Sequence, residues 1–322
     1  MHLTARFLIA LALALAAPAF AFDLQAHRGS RGLAPENTLP AFERALELGV
    51  DTLELDIGVT ADGDVIIAHD PYLNPVITRD AKGQWLEGPR GPLIKNLTLA
   101  QLQTYDVGRI RPDSPYAQTF SSQQGRDGTR VPTLQSLFDR VKALGANDVR
   151  FNIETKINPT RPDDTVSADT MTRALLKVVA DAGMVRRITI QSFDWRTLQL
   201  VQKLEPSIPT VYLTIQTANT DNVRDGAWTA GFRIADHGTQ PRMVKAAGGA
   251  VWAPNGGALT EPLLKEAQAL GLQVIPWTVN TPADMERFIA WGVDGIITDY
   301  PDRLRAVMQT RSMPLPRPVS LR

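Results

Sequence analysis

Cysteine is absent from this chain of 322 residues. That absence excludes disulfides, thiolate metal ligands, a cysteine nucleophile and the lipidated cysteine of a lipoprotein anchor. Neither sign of charge is in excess: Lys plus Arg and Asp plus Glu both count 34, with no basic block and no basic stripe interleaved with aromatics. Nucleic acid is therefore not an expected partner, and a small soluble ligand or a lipid head group fits better. The apolar run over 7–17 is too short to span a membrane, so no stable membrane anchor is expected.

That run follows a short basic start, His2 and Arg6, and leads to Ala19-Phe20-Ala21, with small residues where a signal peptidase reads. Residues 1–21 are expected to be a signal peptide cleaved after Ala21, which implies a periplasmic or secreted protein; an N-terminal anchor left uncleaved is the alternative. The roughly 300 residues that remain are ample for a core without disulfides. At the other end, 307–322 includes the Pro-rich stretch RSMPLPRPVSLR, has no periodic apolar face, and is expected to be a disordered tail.

Between these ends, strand-like apolar runs alternate with amphipathic stretches. The runs cover 24–27, 52–57, 65–68, 149–153, 188–193, 210–215, 250–253, 273–278 and 295–298, and helical spacing falls at 39–48, 170–182, 197–204 and 261–270. Strand and helix repeated in this order imply a parallel sheet covered by helices. At this length an α/β fold of the (β/α)8 TIM-barrel type leads, with the domain over 22–306. Nine candidate strands compete for eight places; 65–68 follows the turn Thr60-Ala-Asp-Gly63 and is expected to pair with the second strand as a hairpin. A doubly wound open sheet is weaker, because no Gly-rich phosphate fingerprint follows the first strand. The stretch 71–128, rich in Pro, Gly, Asp and Gln, reads as an insertion at the mouth of the site, with a short helix near 99–105.

Chemistry concentrates at strand ends. Glu54 and Asp56 share one face of their strand, and Glu154 ends another otherwise apolar strand. Buried carboxylates are costly unless paired or ligated. Three oxygen donors without cysteine suit one divalent cation, Ca²⁺ or Mg²⁺, better than Zn²⁺. Salt bridges to Arg28 and Lys156 account for the same residues equally well. Of the three histidines beyond the leader, His27 and His69 both follow short apolar runs, where a pair of near-neutral imidazoles can serve as general base and general acid. His237 lies in a polar loop and reads as structural.

In order and spacing, His27-Arg28-Gly29, Pro35-Glu36-Asn37-Thr38, Glu54-x-Asp56, Thr60-x-Asp62-Gly63 and His69-Asp70 resemble the glycerophosphodiester phosphodiesterase family. Asn152-Ile-Glu154-x-Lys156, Gln191-Ser192-Phe193, Trp277-Thr278-Val279-Asn280 and Asp294 to Pro301 continue that resemblance over nearly the whole chain beyond the leader. It implies metal-dependent hydrolysis of a small-molecule glycerophosphodiester to sn-glycerol 3-phosphate and an alcohol. Glu54, Asp56 and Glu154 would be the metal ligands, and His27 and His69 the acid/base pair. Arg28 and Lys156 would bind the phosphate, with Asn37 orienting the metal or phosphate shell. Phe193 and Trp277 would wall the glycerol or leaving-group carbons, though ordinary barrel packing explains them as well. Glu36 has no assigned role. A related barrel hydrolase of lysophospholipid or sphingomyelin, and a non-catalytic binder of phosphodiesters, are the alternatives.

Overall fold

The computed structural model describes residues 22–322, so the expected signal peptide over 1–21 lies outside the described residues. Nine strands form one sheet: β1 (Asp23–Ala26), β2 (Thr52–Val59), β3 (Val65–Ile67), β4 (Arg150–Thr155), β5 (Ile188–Ser192), β6 (Thr210–Thr214), β7 (Val251–Pro254), β8 (Gln273–Val274) and β9 (Gly295–Thr298). Eight follow the order β8-β7-β6-β5-β4-β2-β1-β9 with parallel pairing, while β3 pairs antiparallel with β2 outside that path. Backbone bonds from Asp294 N–H to Val274 O (2.9 Å) and from Ile297 N–H to Pro276 O (3.0 Å) bridge the seam between β8 and β9. The result is a nearly closed barrel of eight parallel strands ringed by helices. Strand β8 is shorter than the run 273–278 because Pro276 has no N–H to give to a ladder.

The helix Leu39–Leu48 shows how sequence builds the outer ring. Thr38 caps it by accepting from the Ala41 N–H, Pro40 occupies its first turn, and Ala41, Phe42, Ala45 and Leu46 bury against the barrel. Helices Ala168–Asp181, Trp195–Leu204 and Glu261–Ala269 repeat the pattern close to their expected positions. None among the described residues is long and apolar enough to cross a membrane.

Alternation within the strands divides the core. Leu53, Leu55 and Ile57 of β2 join the large cluster between barrel and helices, so Glu54 and Asp56 face inward. The interior is split by chemistry. Val211, Leu213, Val251, Ala253, Ile275 and Ile297 fill one part. In the other, Asn152 donates to Gln25 and Gln191 (2.9 Å each), and Gln191 donates to Glu54 Oε1 (2.7 Å). That polar stack forms the floor of the site.

Two segments differ from expectation. The final helix runs to Thr310, past the boundary at 306, and 311–322 is not a loose tail. Val319 N–H donates to Leu46 O (2.8 Å), Arg305 donates to Pro316 O (2.8 Å), and Met313 and Val319 pack on the main core. Gly49 makes room for this: its φ is +85°, and a Cβ there would lie 2.7 Å from Pro316 O. The insertion carries the expected short helix, Leu99–Leu102, on a small core of Ile66, Leu73, Ile94, Leu102 and Val131, and a further helix, Pro115–Thr119, whose Tyr116 and Ala117 pack on a separate cluster of Ile110, Phe120 and Tyr300.

Candidate active site

Register brings the carboxylates together. Parallel pairing sets Glu54 beside Asn152 and Asp56 beside Glu154, so oxygens of Glu54, Asp56 and Glu154 all lie within 4.8 Å of one another, in buried residues. Glu54 Oε2 accepts from the Arg28 N–H (2.7 Å) and Asp56 Oδ2 accepts from Asn37 Nδ2 (2.8 Å). Burial, with Asp56 and Glu154 nearby, raises the Glu54 carboxyl well above the usual range. Burial and Asp56 also push Glu154 up to about 7, against the pull of Lys156. For Asp56, burial is outweighed by Lys156, His69 and Arg28, which hold it well below the ordinary value.

Three acids this close cannot all carry charge on the protein's own cations alone. Asp56 Oδ1 shows the shortfall: Lys156 Nζ stands 3.1 Å away, yet the oxygen is buried with no hydrogen bond of proper geometry. A divalent cation among these residues would meet three oxygen donors and satisfy that orphaned atom, so the donor set fits one. The salt bridges that were the alternative are present too. Lys156 Nζ lies 2.7 Å from Glu154 Oε1, and Arg28 Nε lies 3.4 Å from Asp56 Oδ2.

Arg28 is held in place by its neighbours. Its NH1 donates to Glu36 Oε1 (2.6 Å), while Glu36 Oε2 accepts from the Tyr116 hydroxyl. The backbone at Arg28 and Asn37 takes the left-handed region, φ +51° and +55°, and the Asn37 N–H donates to Arg28 O (3.0 Å). Next to them, a Cβ on Gly29 would lie 2.8 Å from Ala41 atoms, so this tight loop requires a glycine.

Both imidazoles are anchored through Nδ1. His27 Nδ1 lies 2.6 Å from Asp299 Oδ1. Asp299 in turn accepts Arg31 Nε and NH2 (2.8 and 2.9 Å) and Asn280 Nδ2 (2.7 Å). Burial opposes the charge on Asp299, but His27 and Arg31 keep it well below the usual range. An ionised carboxylate only accepts, which assigns the His27 proton to Nδ1 and leaves Nε2 as the free nitrogen, 3.9 Å from Glu54 Oε2. Burial, aided by Arg31 and Arg28, lowers the His27 pKa to about 4 in spite of Asp299. His69 Nδ1 lies 3.0 Å from Asp70 Oδ1, and Asp70 also accepts from Asn74 Nδ2 (2.8 Å). Burial, then Arg28 and Lys156, lowers the His69 pKa. Both shifts favour the neutral ring before substrate binds. His69 arrives by an unusual route: β2 overshoots the site, and antiparallel β3 returns the chain so that the Ala68 N–H donates to Asp56 O (3.0 Å).

One cavity of about 180 Å³ gathers His27, Arg28, Glu54, His69, Glu154 and Lys156, with Phe193 and Trp277 in its wall. The two aromatic rings meet edge to face at 5.3 Å. Asn37 is outside that lining and touches the site through its side chain on Asp56 and its backbone N–H on Arg28 O. His237 packs against Phe232, ring centroids 5.6 Å apart.

The sequence pattern of the Glycerophosphoryl diester phosphodiesterase family matches residues 27–303, which includes every residue of this cavity. The chain belongs to that family. It is 31 % identical over 284 residues to a glycerophosphodiester phosphodiesterase of Bacillus subtilis, covering 88 % of this chain and 85 % of the relative. A glycerophosphodiester phosphodiesterase of Caldanaerobacter subterraneus is 29 % identical over 279 residues, covering 87 % and 94 %. Among solved structures, a candidate glycerophosphoryl diester phosphodiesterase from Silicibacter pomeroyi superposes with a TM-score of 0.82 at 34 % identity, over 92 % of this chain and 96 % of the other.

Several supporting roles in the site were not assigned from the sequence, although Glu36, Asp70, Gln191, Asn280 and Asp299 stood in the motifs that carry the resemblance, and Arg31 and Tyr116 stood in none. Asp299, Arg31 and Asn280 support His27, Asp70 supports His69, Glu36 and Tyr116 support Arg28, and Gln191 supports Glu54. One signal was available. Asp299 directly follows the apolar strand β9, much as Glu154 stands at the end of the apolar run in β4. Trp228, whose ring lies 6.4 Å from Phe193, comes from an irregular loop that gave no signal at all.

Proposed function

We propose that the chain hydrolyses glycerophosphodiesters to sn-glycerol 3-phosphate and an alcohol. The observation that carries this reading is the pair of imidazoles, each anchored at Nδ1 by its own carboxylate, in one cavity with Arg28, Lys156, Glu54 and Glu154, an oxygen of Asp56 lying within 4.8 Å of both acids. Glu54, Asp56 and Glu154 would hold the divalent cation, Ca²⁺ or Mg²⁺, which supplies Lewis-acid polarisation of a phosphoryl oxygen when bound. Arg28, with a forked guanidinium, and Lys156, a point charge, offset the negative charge that grows on the equatorial oxygens. One imidazole takes the proton of the attacking hydroxyl as the new P–O bond forms. The other, protonated at Nε2 once the anionic phosphodiester is bound beside it, gives that proton to the alkoxide as the old P–O bond breaks. The attacking hydroxyl is that of water, or the glycerol 2-hydroxyl with a cyclic phosphate opened in a second step. Phe193 and Trp277 face the glycerol carbons. The leader pattern over 1–21 supports export to the periplasm or beyond.

The test is product analysis. Purified protein incubated with glycerophosphoethanolamine should release sn-glycerol 3-phosphate and ethanolamine in equal amounts. Release of phosphoethanolamine and glycerol instead would contradict the assigned bond cleavage.

A further inference from the structure

A second cavity, larger at about 350 Å³, opens against the catalytic one. The two share His69, Glu154, Lys156 and Phe193, so the residues assigned to phosphate, cation and proton transfer stand at their junction. A phosphodiester carries one alcohol on each side of phosphorus. With phosphorus at the junction, the two alcohols fall on opposite sides, one in each cavity.

The walls differ in chemistry. Beyond Phe193 and Trp277, the catalytic cavity is lined by Leu213 and Ile297, which suits a carbon skeleton. The far wall of the second is Tyr72, Arg90, Asn158, Arg161, Asp164 and Trp228. Its acids are already engaged: Asp164 pairs with Arg90 Nη1 at 3.1 Å, Glu154 with Lys156 Nζ at 2.7 Å, and Asp70 with His69 and Asn74. One face of Tyr72 is covered by the Arg90 guanidinium, 5.0 Å from the ring centroid. Donors, by contrast, are left over. Among the described residues the Arg161 guanidinium makes no ion pair, and the buried hydroxyl of Thr165, another lining residue, has no hydrogen-bond partner. A quaternary ammonium group would find no free carboxylate there and would meet two guanidinium groups, with only the rings of Phe193 and Trp228 to attract it.

We propose that this second cavity receives the leaving alcohol and selects one rich in acceptor oxygens, a polyol, over a quaternary ammonium alcohol. The assignment rests on the hydrolase reading above and adds to it the class of alcohol that is released. The hydrogen bonds from Arg161 are made only with a ligand that presents oxygens, and a bond to a charged group is worth about tenfold or more in affinity.

The experiment compares kcat/KM for glycerophosphoglycerol and glycerophosphocholine in the wild type and in Arg161→Gln and Arg161→Glu. Arg161 is exposed and has no part in the catalytic machinery, so these variants keep the fold. Wild type should favour glycerophosphoglycerol by about tenfold or more. R161Q should shrink that ratio, and R161E should shrink it further by improving turnover of glycerophosphocholine. A ratio unchanged across all three proteins, or a wild-type preference for glycerophosphocholine, would overturn this inference while leaving the hydrolase reading intact. No glycerol 3-phosphate from either substrate would overturn both.

Discussion

Asp299 Oδ1 and His27 Nδ1 meet at 2.6 Å, across 272 residues of chain and across the β1–β9 pair of the barrel. Arg31 and Asn280 hold the other side of the same carboxylate, so the imidazole has one tautomer and one orientation. Asp299→Asn offers an amide that cannot accept from both His27 and the Arg31 fork. kcat for glycerophosphodiester hydrolysis should fall by about 10²–10⁴ with KM little changed. A fall confined to KM would show that Asp299 acts on binding rather than on the imidazole.

Removing either ring should act on the same quantity. His27→Ala and His69→Ala are each expected to lower kcat by about 10²–10⁴. Steady-state rates at pH 7 check this, and wild-type turnover in either variant would remove that residue from proton transfer.

The three acids make a separate prediction that needs no turnover. Saturating Ca²⁺ or Mg²⁺ should raise the melting temperature of the wild type, since a ligand at 100 times its Kd stabilises by about 2.7 kcal/mol. Glu154→Gln keeps an acceptor for Lys156 and loses a charge, so most of that rise should vanish. An equal rise in both proteins would place the cation elsewhere.

Asp51 offers a test by pH away from the site. Burial and the neighbouring Asp23 push its pKa up to about 6 from an ordinary 3.8, while its Oδ2 accepts from the Leu24 N–H (3.0 Å). Between those two values the folded state binds the proton more tightly than the unfolded chain, so stability falls as pH rises from about 4 to about 6. Asp51→Asn keeps the acceptor and loses the charge. Its melting temperature should exceed the wild type by about 2–4 °C at pH 8 and match it near pH 4. A difference that is constant with pH would contradict the assigned cause.

The C-terminal segment is expected to serve stability alone. A chain ending at 312 loses the Val319–Leu46 hydrogen bond and the packing of Met313 and Val319. Its melting temperature should drop by about 2–4 °C with kcat unchanged. A lower kcat would tie the segment to the site.

What could be read from the residues alone was whatever depends on local pattern. The alternation of runs marks the barrel; a shared strand face marks Glu54 and Asp56, and a polar side chain closing a short apolar run marks Glu154, His27 and His69. The capping of Leu39–Leu48 by Thr38 and its stop at Gly49 are equally local. Features made by distant partners gave no such mark. Asp299 reaches His27 only because β9 lies beside β1. Tyr116 reaches Glu36 from a five-residue helix inside the insertion. The segment 311–322 looks disordered by composition because its partners, Leu46 and Gly49, lie at the opposite end of the chain. Lys156 was legible as a charge, but its position between Asp56 and Glu154 follows from the pairing of β2 with β4.

The central claim is that three buried acids and two anchored imidazoles act together on a phosphodiester. Its most direct measurement is release of sn-glycerol 3-phosphate from glycerophosphoglycerol by the purified protein, before and after exhaustive EDTA treatment and after Ca²⁺ or Mg²⁺ is restored. The account predicts release that EDTA abolishes and one of the two cations returns. Release that survives complete chelation, or none under any of the three conditions, would contradict it.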